Sequence, residues 1–149
     1  MLLKNKVAVI YGAGGAIGGA VARAFALEGA KLFLTGRQRA PLGVVAKDIQ
    51  SAGGAAEVAE VDALDEKAVD IHLQSVIGKA GRIDISFNAI GIPMEKIAGA
   101  LLAEMDAEKF FLPIANCARS YFLTARLAAR CMIQNKSGVI MTVTALTSR

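Results

Sequence analysis

Tryptophan is absent from this chain of 149 residues, and aromatic side chains make up only 5% of it. Any interior must therefore be built from aliphatic residues. A single histidine, His72, and two cysteines leave no Cys/His cluster with metal-ligand spacing, so no metal centre is expected. Cys117 and Cys131 fall on one expected helix about four turns apart, roughly 20 Å, too far to bridge. They read as buried thiols of a reducing, cytoplasmic setting. No run of five or six like charges occurs. Lys and Arg outnumber Asp and Glu 17 to 13, but they are scattered, which argues against nucleic acid as partner and for a small anionic ligand. The start, Met1 to Lys6, carries charge where the apolar core of a signal peptide should begin. One uncharged stretch, Val7 to Ala22, holds Gly14 and Gly18 in the spacing of a membrane helix-packing motif. It is too short to span a bilayer, and its clustered glycines would break a helix, so no membrane association is expected.

Hydrophobic residues make up 54% of the chain, enough for one compact domain over residues 1–149. Apolar, β-branched runs alternate with longer stretches of helical period, the pattern of βαβ units around a parallel sheet. Strands are expected near Lys6–Tyr11, Lys31–Thr35, Ala56–Val61, Ile83–Asn88 and Val139–Thr144. Helices are expected near Ala16–Glu28, Pro41–Ala52 and Glu66–Lys79, with a long stretch from Glu95 to Gln134 dividing near Pro113. Val69, Leu73, Val76 and Ile77 share one face of the third helix, and His72 is expected on its surface. Gly29, Gly53, Gly81 and Gly138 each stand between a helix and the next strand, where a C-terminal cap belongs. The expected fold is α/β, a doubly wound parallel sheet with helices on both faces. Its last strand would be an apolar edge, an aggregation liability if left uncovered.

The first strand runs into Gly12-Ala13-Gly14-Gly15-Ala16-Ile17-Gly18, and a helix follows. Glycines there let the backbone approach a pyrophosphate, while the helix N-terminus supplies free N–H groups and a positive dipole end. Gly12, Gly14, Gly15, Ile17 and Gly18 are thus candidate cofactor-binding residues, the alternative being a turn chosen for close strand-to-helix packing. An NAD-specific site needs an Asp or Glu at the end of the second strand to hold the ribose 2′-hydroxyl. Thr35-Gly36-Arg37 stands there instead. With Arg39 nearby, Arg37 suits a 2′-phosphate, because guanidinium pairs with phosphate oxygens through charge-assisted bonds. NADP(H) is therefore expected over NAD(H). The missing acid also disfavours S-adenosylmethionine.

From about Lys4 to Thr144 the chain resembles the short-chain dehydrogenase/reductase family. Gly12 and Gly18 match its glycine turn, with Tyr11 in place of Thr and Ala16 in place of the middle Gly. Val61-Asp62 is similar to the third-strand end at which an Asp meets the adenine. Asn88-Ala89-Ile90-Gly91 resembles the Asn-Asn-Ala-Gly stretch, so that Asn88 and Gly91 would hold the cofactor and Asn88 would steady the sheet. Asn116 stands where the family has its catalytic Asn. The departures come next. Ala145 aligns with the catalytic Ser, leaving Thr144 as a substitute hydroxyl only if the strand end shifts, and no Tyr is followed four residues later by Lys. The resemblance implies the N-terminal, NADP(H)-binding portion of an oxidoreductase cut short after its fifth strand, inactive on its own. Its substrate would be a small carbonyl or alcohol, and its assembly a homo-oligomer through the helix around Asn116 to Met132. The alternative is a dinucleotide-binding sensor or scaffold that does no catalysis.

Overall fold

The computed structural model describes residues 1–91 and 99–144. Five strands and four helices alternate: β1 (Val7–Tyr11), α1 (Ala16–Leu27), β2 (Lys31–Gly36), α2 (Arg39–Ser51), β3 (Ala55–Glu60), α3 (Glu66–Ala80), β4 (Ile85–Asn88), α4 (Ala107–Gln134) and β5 (Val139–Thr142). All pairings are parallel, in the order β3-β2-β1-β4-β5. This is the doubly wound sheet expected from the alternation of periods. Its strand order reverses between β1 and β4, the point at which open α/β sheets hold their ligands.

The central strand explains the two-layer core. All five residues of β1 are buried, and its alternate side chains serve opposite faces. Val7, Val9 and Tyr11 join Val69, Leu73 and Val76 of α3 and Leu127, Ala128, Cys131 and Met132 of α4. Ala8 and Ile10 join Ala22 of α1 and Leu42, Val45, Ala46 and Ile49 of α2. The edge strand β5 differs: among the described residues Val139 is 51% exposed and Ile140 40%, an apolar strand at the edge of the sheet as the sequence implied.

Asp84 fastens three strands at their N-terminal ends. Its carboxylate accepts the Val7 amide at 2.9 Å and two Arg82 nitrogens, with Lys6 Nζ at 3.7 Å. Its carbonyl accepts the Val139 amide at 2.8 Å. Burial alone would raise this carboxyl, but the Arg82 and Val7 hydrogen bonds and the charges of Arg82 and Lys6 outweigh it and hold it below the usual carboxylate range.

Four expectations need correction. The helix expected from Glu95 begins only at Ala107, with the Asp106 side chain capping the Lys109 amide at 3.0 Å; part of the expected start, residues 95–98, lies outside the described residues. Nor does it divide at Pro113. α4 runs unbroken past this proline, which is buried on the same inward stripe as Leu123, Leu127 and Met132, so tertiary packing offsets one lost backbone bond. Gly138 is not a cap. Asn135 caps α4 and Lys136 takes the left-handed turn at φ 50°, while Gly138 is small because a Cβ there would collide with the Met132 side chain. Finally, His72 is half-buried and packs edge-to-face on Phe33, with ring centroids 6.5 Å apart, and its Nδ1 is buried with no hydrogen-bond partner among the described residues. Burial first, and Lys79 second, push its pKa down to about 4.

Candidate functional site

The glycine turn is held by its backbone. The Ala13 amide donates to Thr35 O at 3.1 Å, Gly15 to Gly12 O at 3.1 Å, and Gly19 to Gly15 O at 2.8 Å. Gly12 adopts φ +72°, and a Cβ there would stand 3.0 Å from the Ala89 carbonyl at the end of β4. Gly18, in the first turn of α1, lies against the turn itself: a Cβ would fall on the Gly12 carbonyl oxygen and reach its carbon at 2.9 Å. Gly14 lies against Pro41 at the start of α2. These positions therefore close the turn, the helix and the neighbouring strand onto one another.

The same packing leaves α1 with an open N-terminus. Its N-cap, Gly15, has no side chain to offer, and its first turn contains no acidic residue. The other helices differ: Asp65 caps α3 at the Ala68 amide and Asp106 caps α4, and the Glu60 carboxylate accepts the Arg39 amide of α2 at 2.9 Å. Uncapped first-turn amides at the strand reversal leave N–H groups and a positive dipole end facing outward.

A cleft of about 320 Å³ opens at this point. Gly12, Gly15, Arg37, Asp62, Gly91 and Asn116 all line it, so residues far apart in the sequence share one site. Gly14, Ile17 and Gly18 are not among its lining residues; Gly14 and Gly18 shape the turn behind it, and Ile17 is exposed at the start of α1. A larger groove of about 800 Å³ lies at the other end of the strands, around Met1, Lys6 and Gly54. It is remote from the strand carboxyl ends, where α/β sheets present ligands.

Asp62 accepts the Leu64 amide at 2.9 Å and remains exposed at the cleft. Its loop is fixed from α4, where Arg119 Nε donates to Leu64 O at 3.1 Å. Asn88 is tied into the sheet and is not among the residues lining the cleft. Its Nδ2 donates to Thr124 Oγ1 at 3.1 Å and its Oδ1 accepts the Ile90 amide at 2.9 Å, and it is fully buried. Arg37 is exposed on the cleft, with no ion pair or hydrogen bond among the described residues. Arg39 instead lines a shallow groove with Gly43, Lys47 and Glu57, away from Arg37.

Thr144 lies beyond β5, exposed and outside the cleft lining, and Ala145 falls outside the described residues. Tyr121 approaches this strand end, donating to Val143 O at 2.6 Å. Burial first, then Cys117, pushes its hydroxyl up to about 12, and no Lys follows it four residues on, where Ala125 stands. Sequence reasoning missed Cys117 and Pro113 in the lining. Their spacing from Asn116, one and three residues along α4, was the available signal.

The family model described as short chain dehydrogenase matches residues 6–149. An uncharacterized oxidoreductase of Bacillus subtilis strain 168, YxbG, is 33% identical over 140 residues, covering 94% of this chain and 50% of the relative. A metagenomic short-chain oxidoreductase solved with NADP superposes with a TM-score of 0.84 at 30% identity, over 99% of this chain and 65% of that one. NAD+-bound xylitol dehydrogenase superposes at 0.87 with 27% identity, over 95% and 54%. The chain thus spans about half the length of the curated relatives it matches. The strand order, the glycine turn and this match together carry one conclusion: the chain belongs to the short chain dehydrogenase family.

Proposed function

We propose that this chain forms the NADP(H)-binding part of an oxidoreductase that interconverts an alcohol and a carbonyl by hydride transfer. The observation that carries the reading is the uncapped N-terminus of α1 and the unpaired Arg37 opening onto one cleft, among the described residues. The first-turn amides of α1 would hold the pyrophosphate, the tight Gly12–Gly18 contact keeping them in place. Arg37 would pair with the ribose 2′-phosphate, and Asp62 would meet the adenine. A bound nicotinamide supplies the hydride donor or acceptor. Asn116, on the cleft wall, would support proton relay at the substrate end. Thr144 remains the candidate hydroxyl for the carbonyl. The family's Tyr and Lys pair is not found within these 149 residues, so the chain by itself binds cofactor without turning over substrate.

Cofactor titration of the purified chain tests the reading. NADPH is expected to bind more tightly than NADH, and Arg37→Asp to reverse the order. Equal affinities, or a preference that survives the substitution, would overturn it. Ala145 in place of the family's Ser favours a second reading, a dinucleotide-binding sensor or scaffold. Steady reduction of any ketone by a protein carrying this chain excludes that alternative. Self-association is part of the proposal, supported by the exposed Phe110, Phe111, Leu112, Ile114 and Phe122 of α4; light scattering at the mass of one chain would remove it.

A further inference from the structure

We infer that Glu60, on β3, is a specificity-determining residue that opposes the ribose 2′-phosphate and so limits the discrimination that Arg37 provides. This rests on the reading that the cleft holds the adenosine end of a nicotinamide dinucleotide. Glu60 is not among the residues lining the cleft, but three observations place it next to the rim at Arg37. In the parallel pairing of β2 with β3, Glu60 is the register partner of Gly36, the residue before Arg37. The next residue, Val61, donates its amide to Gly36 O at 3.0 Å and lines the cleft with Gly36, Arg37 and Asp62. The Glu60 carboxylate is fixed by the Arg39 amide at 2.9 Å, which holds it at the N-terminus of α2 rather than in an ion pair with Arg37.

The end of β2 lacks the acid that selects an unphosphorylated ribose, yet the adjacent strand ends level with it in a carboxylate held at the start of α2. A phosphate seated on Arg37 would share its surroundings with that negative charge. Glu60 also fills the first amide of α2, which an anionic group could otherwise use. The net preference at this end is then set by the Arg37 guanidinium against the carboxylates of Glu60 and Asp62 at an exposed site, where screening keeps each contribution modest.

The test compares adenosine 2′,5′-bisphosphate with adenosine 5′-monophosphate by calorimetry at low salt. Glu60→Gln removes the charge while keeping an oxygen for the Arg39 amide. It is expected to raise the ratio of the two affinities about three- to tenfold, and Glu60→Ala to do the same if it melts near the parent temperature. Glu28→Gln makes the same change in net charge at the far end of α1, next to the N-terminal amine, and is expected to leave the ratio unchanged. A ratio unaltered or lowered in Glu60→Gln, or raised equally by Glu28→Gln, would overturn the assignment. The parent ratio is a separate readout: a value at or below one defeats the Arg37 reading, while the Glu60 assignment still stands or falls on the change in its own variants.

Discussion

Acidification from pH 7.5 to 5 is expected to destabilise the chain through His72 alone. Its imidazole has Nδ1 buried without a partner among the described residues, its ring against Phe33, and Lys79 nearby. Its pKa accordingly falls from 6.5 to about 4, with burial the largest cause. The unfolded chain takes up the proton near pH 6.5, whereas the folded chain resists until about pH 4. Stability is therefore complete above 6.5 and declines as the pH falls between those values. That gap corresponds to about 3 kcal/mol in full, of which about 2 kcal/mol is lost by pH 5. The carboxylates with lowered values, Asp84 and Glu57, lose their contributions only at lower pH, so the upper window isolates the imidazole. Urea unfolding followed by circular dichroism at pH 7.5, 6.5 and 5 measures the slope. His72→Phe, which keeps a ring against Phe33, should flatten it and change stability at pH 7.5 by less than about 1.5 kcal/mol. An NMR titration of the His72 ring with a midpoint near 6.5, or an unchanged slope in the variant, would refute the reasoning.

Two further substitutions probe the turn and the strand clamp. Gly18→Ala places a methyl on the Gly12 carbonyl; it should displace α1, cost about 1–3 kcal/mol in a denaturant melt and weaken NADPH binding at least tenfold, whereas affinity within twofold of the parent would contradict the cradle. Asp84→Ala strips the Val7 amide and the Arg82 guanidinium of their acceptor. It should cost about 3 kcal/mol of unfolding free energy, and a loss below 1 kcal/mol would show that the clamp is replaceable.

Much of this architecture was legible because period and punctuation agree. The Val69, Leu73 and Val76 stripe predicted α3, and Gly81, at φ +75°, ends it as expected. The glycine turn was legible for the same reason, since few other sequences join a buried strand to a helix so tightly. What stayed hidden depends on strand register or helix orientation. Glu60 comes level with Gly36 only once β2 pairs with β3. Asn88 meets Thr124, 36 residues away, only once α4 docks. Pro113 carries a local rule that the packing of α4 overrides, and Arg39 follows Arg37 closely in sequence but turns to another surface as α2 begins.

The contact between Gly18 and the Gly12 carbonyl has a consequence for how such a protein can diverge. The groups proposed to meet an anion at this turn are main-chain amides, which no substitution except proline removes, and their alignment rests on the absence of side-chain atoms at two points. Tyr11 and Ala16 are tolerated because neither Cβ enters that contact: Tyr11 turns into the α3–α4 layer, and Ala16 opens the helix. The capacity is inherited as main-chain shape rather than as a set of reactive side chains. Such a shape tolerates change in the surrounding side chains as long as those two positions stay free of a Cβ.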